Sequence, residues 1–157
     1  MKVMTSSSVE SVDTSGKLCK VKIKTPKGEV EVEAEVVLSA VGVTPNLENI
    51  GLEKMGIEME TGKVKVDDYY RTNVNGVYAI GDIVGGPALA HVASAEGITC
   101  VEKIAGHNPH PVDYSNIPGC TYTSPEVASV GMTEKAAKDA GYELKVGKFQ
   151  FTASGKA

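Results

Sequence analysis

The sequence predicts a mixture of α/β and α+β structure, and three observations carry that prediction. Apolar and polar residues alternate through residues 1 to 34, the pattern of half-exposed antiparallel strands. A short apolar stretch, "VYAI", leads into Gly-Asp and then into a segment of helical periodicity, the order of a strand and helix in a parallel sheet. After a proline-containing linker, short strands, a short helix and another alternating stretch suggest the start of a separate α+β segment.

The whole chain bounds these expectations. Its 157 residues and 41% apolar content match one ordinary domain with a core of its own. A formal charge of −4 and a pI near 5.4, with acids and bases interspersed, argue against a nucleic-acid face. The apolar runs fall far short of the roughly 20 residues of a membrane span, and "MKVMTSSSVE" lacks an apolar signal core, so a soluble, intracellular protein is expected. Cys19, Cys100 and Cys120 fit no zinc pattern and no CxxC, and are read as buried or half-buried thiols.

Taken in order, the first element is an antiparallel meander. Val21 and Ile23 share one face and Lys20, Lys22 and Lys24 the other, with turn signals at Thr14-Ser15-Gly16 and Pro26-Lys27-Gly28. "EVVLSAVG" is nearly continuous in apolar residues and reads as a strand covered on both faces, ending at Gly42. Residues 43 to 75 read as a connection, with a helical turn near Leu52 to Met55 and a short strand near Val64 to Val66. "VYAI" is a short buried strand, followed by a helix with apolar positions Leu89, Val92, Ala93, Ile98, Val101 and Ile104. Pro87 stands at its start and Gly106 closes it. "CTYTSPEVASVGM" suggests two short strands, "TEKAAKDAG" a helix capped by Thr133 and Gly141, and "YELKVGKFQF" a final strand with Leu144, Val146, Phe149 and Phe151 on its apolar face.

The chemistry gathers around "GVYAIGDIVGGPALAHVASAEG". Asp82, after Gly81, should project from the carboxyl edge of a sheet, where it either accepts hydrogen bonds from a ligand's hydroxyls or caps its own loop. The free N–H groups of the "ALAH" turn suit an electron-rich group, and Ala88 and Ala90 leave room for a flat ring, although alanine also simply favours helix. His91 has no neighbouring cysteine or carboxylate and reads as a packing or backbone-supporting residue. His107 and His110, in the linker, read as solvated. For Glu96 the sequence leaves pairing with a lysine or capping of a neighbour equally open.

"AVGVTPN", "RTNVNGVYAIGDIVGGPALAHVASAEG", "GCTYTSPEVASVGMTE" and "KVGKFQFTASGKA" together resemble the dihydrolipoyl dehydrogenases, members of the flavin-dependent pyridine nucleotide-disulfide oxidoreductase family. The resemblance covers essentially the whole chain, in order. It implies partial FAD/NAD-binding Rossmann-type domains followed by the start of an α+β dimerisation domain: residues 1–42 the last part of the NAD domain, 43–113 the return into the FAD domain, and 114–157 the beginning of the interface domain. It implies that Asp82 holds the FAD ribitol, that the backbone of Leu89, Ala90 and His91 faces the flavin, and that Gly42 lies against NAD. Val43 and Thr44 stand where the family often carries an arginine pair.

The chain contains no GxGxxG phosphate turn and no closely spaced cysteine pair, so the resemblance implies an internal segment that lacks catalytic residues and is inactive alone. Implied for the whole protein are a homodimer, lipoyl domains of 2-oxo acid dehydrogenase or glycine cleavage complexes as partners, and a location in the cytoplasm or the mitochondrial matrix. Two other readings remain at this stage: a non-catalytic binding or dimerising module, and a segment of a glutathione or mercuric reductase.

Overall fold

The computed structural model describes residues 1–155 and divides into two compact units, Met1–Val43 and Thr44–Ala157. In the first, strands β1 (Ser8–Asp13), β2 (Cys19–Thr25) and β3 (Gly28–Ala34) form an antiparallel sheet in that order, as the alternation predicts. The register follows from the side chains. Val21 faces Val12 and Val32, and Ile23 faces Val9 and Val30, giving one apolar stripe. Lys20, Lys22 and Lys24 face Glu33, Glu31 and Glu29, so opposite charges meet across β2 and β3. The Lys20–Glu33 pair, 3.9 Å apart and well exposed, contributes at most about 1 kcal/mol; burial of Val21 contributes more.

The strand expected over "EVVLSAVG" does not form. Residues 36 to 40 have no regular structure, and Val36, Leu38 and Val41 are exposed, Val41 at 95%. A strand buried on both faces requires neighbours to accept its backbone hydrogen bonds, and no described strand pairs with this run.

The second unit is built around Leu47, Ile57, Val64, Ala79 and Val84, with Leu52, Val66, Val74, Val77 and Ile83 packed on them. A helical turn at Gly51–Met55, closed by the Met55 N–H on Gly51 O, delivers Ile57 to this cluster. Strands β4 (Met59–Glu60) and β5 (Lys63–Val64) form a hairpin whose two turn residues, Thr61 and Gly62, both have positive φ (50° and 78°), which matches the twist of paired strands. Only the second of these strands is visible in the sequence pattern.

"RTNVNG" is the clamp of this unit. Asn73 accepts the Glu58 N–H at 2.8 Å and donates to Gly56 O at 2.8 Å, while the buried Thr72 hydroxyl donates to Val77 O at 2.9 Å. The "VYAI" segment that follows is extended, but it pairs locally, with the stretch just before it: the Thr72 N–H donates to Val77 O and the Ala79 N–H to Tyr70 O, around an isolated Arg71–Tyr78 bridge. It is a ribbon where a sheet strand was expected, for the same want of parallel neighbours among the described residues.

Helix α1 (Ala90–Ile104) ends in a Schellman motif: Gly106 (φ 85°) donates to Lys103 O and His107 donates to Glu102 O. Its buried face is Val92, Glu96, Thr99 and Cys100, whereas Ile98, Val101 and Ile104 are each more than half exposed. The expected apolar stripe is thus corrected in part: Val92 is buried and Ala93 half-buried as expected, but Ile98, Val101 and Ile104 are not, and Glu96 and Thr99 turn inward in their place. Strands β6 (Gly119–Thr121) and β7 (Val127–Ser129) pair antiparallel as expected, across a cis Ser124–Pro125 bond. Helix α2 (Glu134–Asp139) has Thr133 as N-cap, accepting the Ala136 N–H, and ends with Gly141 at φ 83° donating to Lys138 O. The final alternating strand is absent: residues 142 to 150 are irregular, and Val146, Phe149 and Phe151 are exposed.

Gly86 (φ 96°) lies against the Tyr114 ring, and a Cβ there would come within 2.8 Å of Tyr114 Cε1. Gly86→Ala is therefore expected to lower stability by about 1–3 kcal/mol through backbone strain and displacement of the ring. Urea unfolding of the two proteins measures this, and an unchanged midpoint would show that the ring moves aside freely.

Candidate functional site

Gly81 and Asp82 stand where the extended segment meets α1. Gly81 is left-handed at φ 77°, the conformation that calls for glycine, and a Cβ on it would sit in ordinary contact with Ala93, 3.4 Å from its Cβ. A single 3-10 turn, Gly81–Ile83, follows, and the Asp82 carboxylate is exposed. The residue therefore lies where a ligand can reach it, at the end of an extended ribbon and not of a sheet.

The N-terminus of α1 is open. Leu89 is the N-cap with no side-chain cap hydrogen bond, and Leu89 O takes the Val92 and Ala93 N–H groups. The N–H groups of Ala90 and His91 head the helix, where the positive end of the dipole favours an electron-rich group. Ala88 and Ala90 flank them with small side chains. His91 Nε2 lies 3.0 Å from Pro118 O and ties the helix start to the strand β6 segment. Leu89 and His91 also border an open, largely apolar groove of about 800 Å³, whose other wall is Cys120, Tyr122, Ala128 and Val130, all exposed. Cys120 is exposed on that wall, contrary to the expectation of a buried thiol, because the short β6–β7 hairpin leaves its outer face uncovered. Cys19 is half-buried and Cys100 buried, and burial pushes the Cys100 thiol up from its ordinary range.

Beneath this surface lies a polar cluster. Glu96 is 1% exposed, accepting the Gly81 N–H on Oε2 at 2.6 Å and the Tyr114 hydroxyl on Oε1 at 2.6 Å. The Tyr114 hydroxyl is 3.1 Å from that of Tyr70, which is itself buried and held at φ 68° in a loop built on Asp67. Asp113 shapes the turn that carries Tyr114: the Ser115 hydroxyl and N–H both donate to it, holding its carboxyl below the usual range. Among the described residues no buried side-chain polar atom lacks a partner.

Of the residues singled out in the sequence, Asp82, Leu89, Ala90 and His91 gather at one end of α1, while Gly42 belongs to the other unit. Gly42 has φ 110°, and a Cβ on it would meet nothing within 4 Å, so conformation and not space calls for glycine. Tyr114, Tyr70 and Gly86 carry no local signal of their own. An aromatic residue inside a polar, proline-bearing linker is the one hint that Tyr114 has a buried partner.

Residues 1–97 match the family described as pyridine nucleotide-disulphide oxidoreductase, and residues 117–157 match its dimerisation domain. Over the whole chain the sequence is 48% identical to a dihydrolipoyl dehydrogenase of Rhizobium etli and 46% identical to the mitochondrial dihydrolipoyl dehydrogenase of Pisum sativum, spanning 33% and 32% of their lengths. The chain thus spans about a third of the curated relatives it matches. The solved structure of LpdA from Mycobacterium tuberculosis superposes with a TM-score of 0.74 at 32% identity, covering 86% of this chain and 29% of that one. No helix among the described residues is long and apolar enough to cross a membrane.

Burial of the hydroxyl and the hydrogen bond to Glu96 push the Tyr114 phenol well above its ordinary 10, and burial raises Tyr70 as well. A phenol whose folded value lies above its unfolded one contributes stability that is complete below pH 10 and is lost as pH rises through the folded value. Ultraviolet titration of the six tyrosines is expected to show two ionising above the ordinary phenol range, and one fewer such group in Tyr114→Phe. Ionisation of all of them together near pH 10 would break the link to Glu96.

Proposed function

The chain belongs to the pyridine nucleotide-disulphide oxidoreductase family, and from that premise we propose that it is a segment of a dihydrolipoyl dehydrogenase, which reoxidises dihydrolipoamide with NAD through FAD. The observation that carries the reading is the exposed Asp82, on the turn whose Gly81 packs against Ala93, together with the uncapped N-terminus of α1 beside an open, largely apolar groove. FAD, when bound, supplies the redox centre between a dithiol and NAD.

The chain's own residues bind and orient. Asp82 accepts hydrogen bonds from the ribitol hydroxyls. The N–H groups of Ala90 and His91, with the Leu89 backbone beside them, face the pyrimidine edge of the flavin, where partial negative charge collects. The small side chains at Ala88 and Ala90 support this by letting a flat ring come close to the backbone. Gly42, by its left-handed backbone, lies against NAD.

On the same reading, residues 1–42 close the NAD domain, 43–113 return into the FAD domain and 114–157 open the interface domain. The whole protein is a homodimer that meets lipoyl domains of 2-oxo acid dehydrogenase or glycine cleavage complexes, in the cytoplasm or the mitochondrial matrix. The match of residues 117–157 to a dimerisation domain supports the first of these.

In the longer flavoprotein that carries this segment, Asp82→Asn is expected to weaken FAD retention about ten- to a hundredfold, the equivalent of roughly 1.5–3 kcal/mol for a hydrogen bond to a charged group. The flavin release rate at unchanged thermal stability of the apoprotein measures it. An unchanged release rate would leave Asp82 as a loop cap. The 157-residue chain by itself contains no GxGxxG and is expected to leave FAD fluorescence nearly unchanged; a stoichiometric yellow complex would overturn the division of the site.

A further inference from the structure

We propose that Glu96 is the positioning residue of this site: its buried carboxylate takes the Gly81 N–H, fixes the left-handed turn there, and so aims the neighbouring Asp82 carboxylate at the ligand. The inference rests on the flavin reading for what Asp82 holds, but the hold of Glu96 on Gly81 stands on geometry alone.

Glu96 is 1% exposed, so it touches no ligand itself and acts only through what it holds. A carboxylate taken from water is costly unless donors surround it. Here each oxygen has one, the Gly81 N–H at 2.6 Å and the Tyr114 hydroxyl at 2.6 Å. The first bond fixes the orientation of the Ile80–Gly81 peptide, one peptide ahead of Asp82. Close packing limits the same backbone from the helix side: Gly97 leaves room for the Ile80 side chain, 3.2 Å from where a Cβ would stand, and Gly81 itself meets Ala93.

Tyr114 keeps the second oxygen from rotating away, and its own position is set by the Tyr70 hydroxyl and by Gly86. The chain of contacts therefore runs from the Asp67 loop through Tyr70, Tyr114 and Glu96 to Gly81, and it ends one residue short of the proposed ligand contact. Glutamine keeps an acceptor for Gly81 but lowers its charge, whereas alanine removes it, so the two substitutions separate loss of strength from loss of the bond.

Amide NMR on the 157-residue chain reads the first part. The Gly81 amide proton is expected far downfield and protected from exchange. Glu96→Gln moves it upfield with protection kept, Tyr114→Phe moves it in the same direction by less, and Glu96→Ala lowers its protection about tenfold while Thr99 and Cys100 amides stay protected. Should Glu96→Ala fail to fold, the glutamine and phenylalanine variants still decide. A Gly81 amide that neither shifts nor loses protection in any variant overturns the proposal.

In the FAD-loaded longer protein, Glu96→Gln and Asp82→Asn are each expected to speed flavin release about tenfold or more, and the double variant to release no faster than Asp82→Asn alone. Additive effects would show that Glu96 acts on the flavin by another route and would overturn the positioning role. No effect of Asp82→Asn by itself would sink the flavin reading of that residue, and the Gly81 amide would still judge the hold of Glu96.

Discussion

The buried Glu96 carboxylate is the constraint on which the second unit depends. A buried carboxyl group is tolerated only where hydrogen-bond partners replace its water. Meeting that demand draws three separate stretches of chain together: the Gly81 turn, the inner face of α1 and the loop carrying Tyr114. The small residues around it follow as consequences. Gly81, Ala93 and Gly97 allow the ribbon and helix to touch, and Gly86 makes room for the Tyr114 ring. A glutamate that looked like any polar helix residue is thus the hub of the packing.

The same arrangement leaves the neighbouring polar groups free. Because Glu96 answers the Gly81 N–H from inside, Asp82 has no duty to cap that turn and its carboxylate faces outward. The start of α1 likewise carries no side-chain cap, although a serine or threonine at the N-cap would stabilise the helix by about 1 kcal/mol. Stability is thus forgone at this helix end, while among the described residues the buried polar side chains beneath it all have partners. The C-termini of α1 and α2, with no such surface to serve, are both closed by glycine motifs.

Several apolar stretches behave differently from their composition. Val36 to Val41 and the run through Phe149 stay irregular and exposed. Side-chain alternation makes a strand possible, but only a partner backbone makes it form, since isolated extended chain has nothing to offset its ordering entropy. The meander of the first unit succeeds because its partners are adjacent in sequence and joined by tight turns. Helix α1 shows the converse: its backbone bonds are internal, so it needs no partner strand, and packing of one face leaves Ile98, Val101 and Ile104 uncovered.

What the sequence alone determined is therefore the local and the self-contained: the β1–β3 meander from alternation and turn residues, α1 and α2 from periodicity and their glycine stops, the β6–β7 pair, and the gathering of Asp82, Leu89, Ala90 and His91 at one helix end. These rest on interactions between residues close along the chain, which spacing records. Tertiary structure decided which face of α1 is buried, that Glu96 is held by Gly81 and Tyr114, that Tyr70 braces them from a left-handed loop, and that two predicted runs remain unpaired. Each of those depends on a donor, ring or partner strand brought from a distant stretch, and no local pattern encodes the distance at which a buried charge will find its donors.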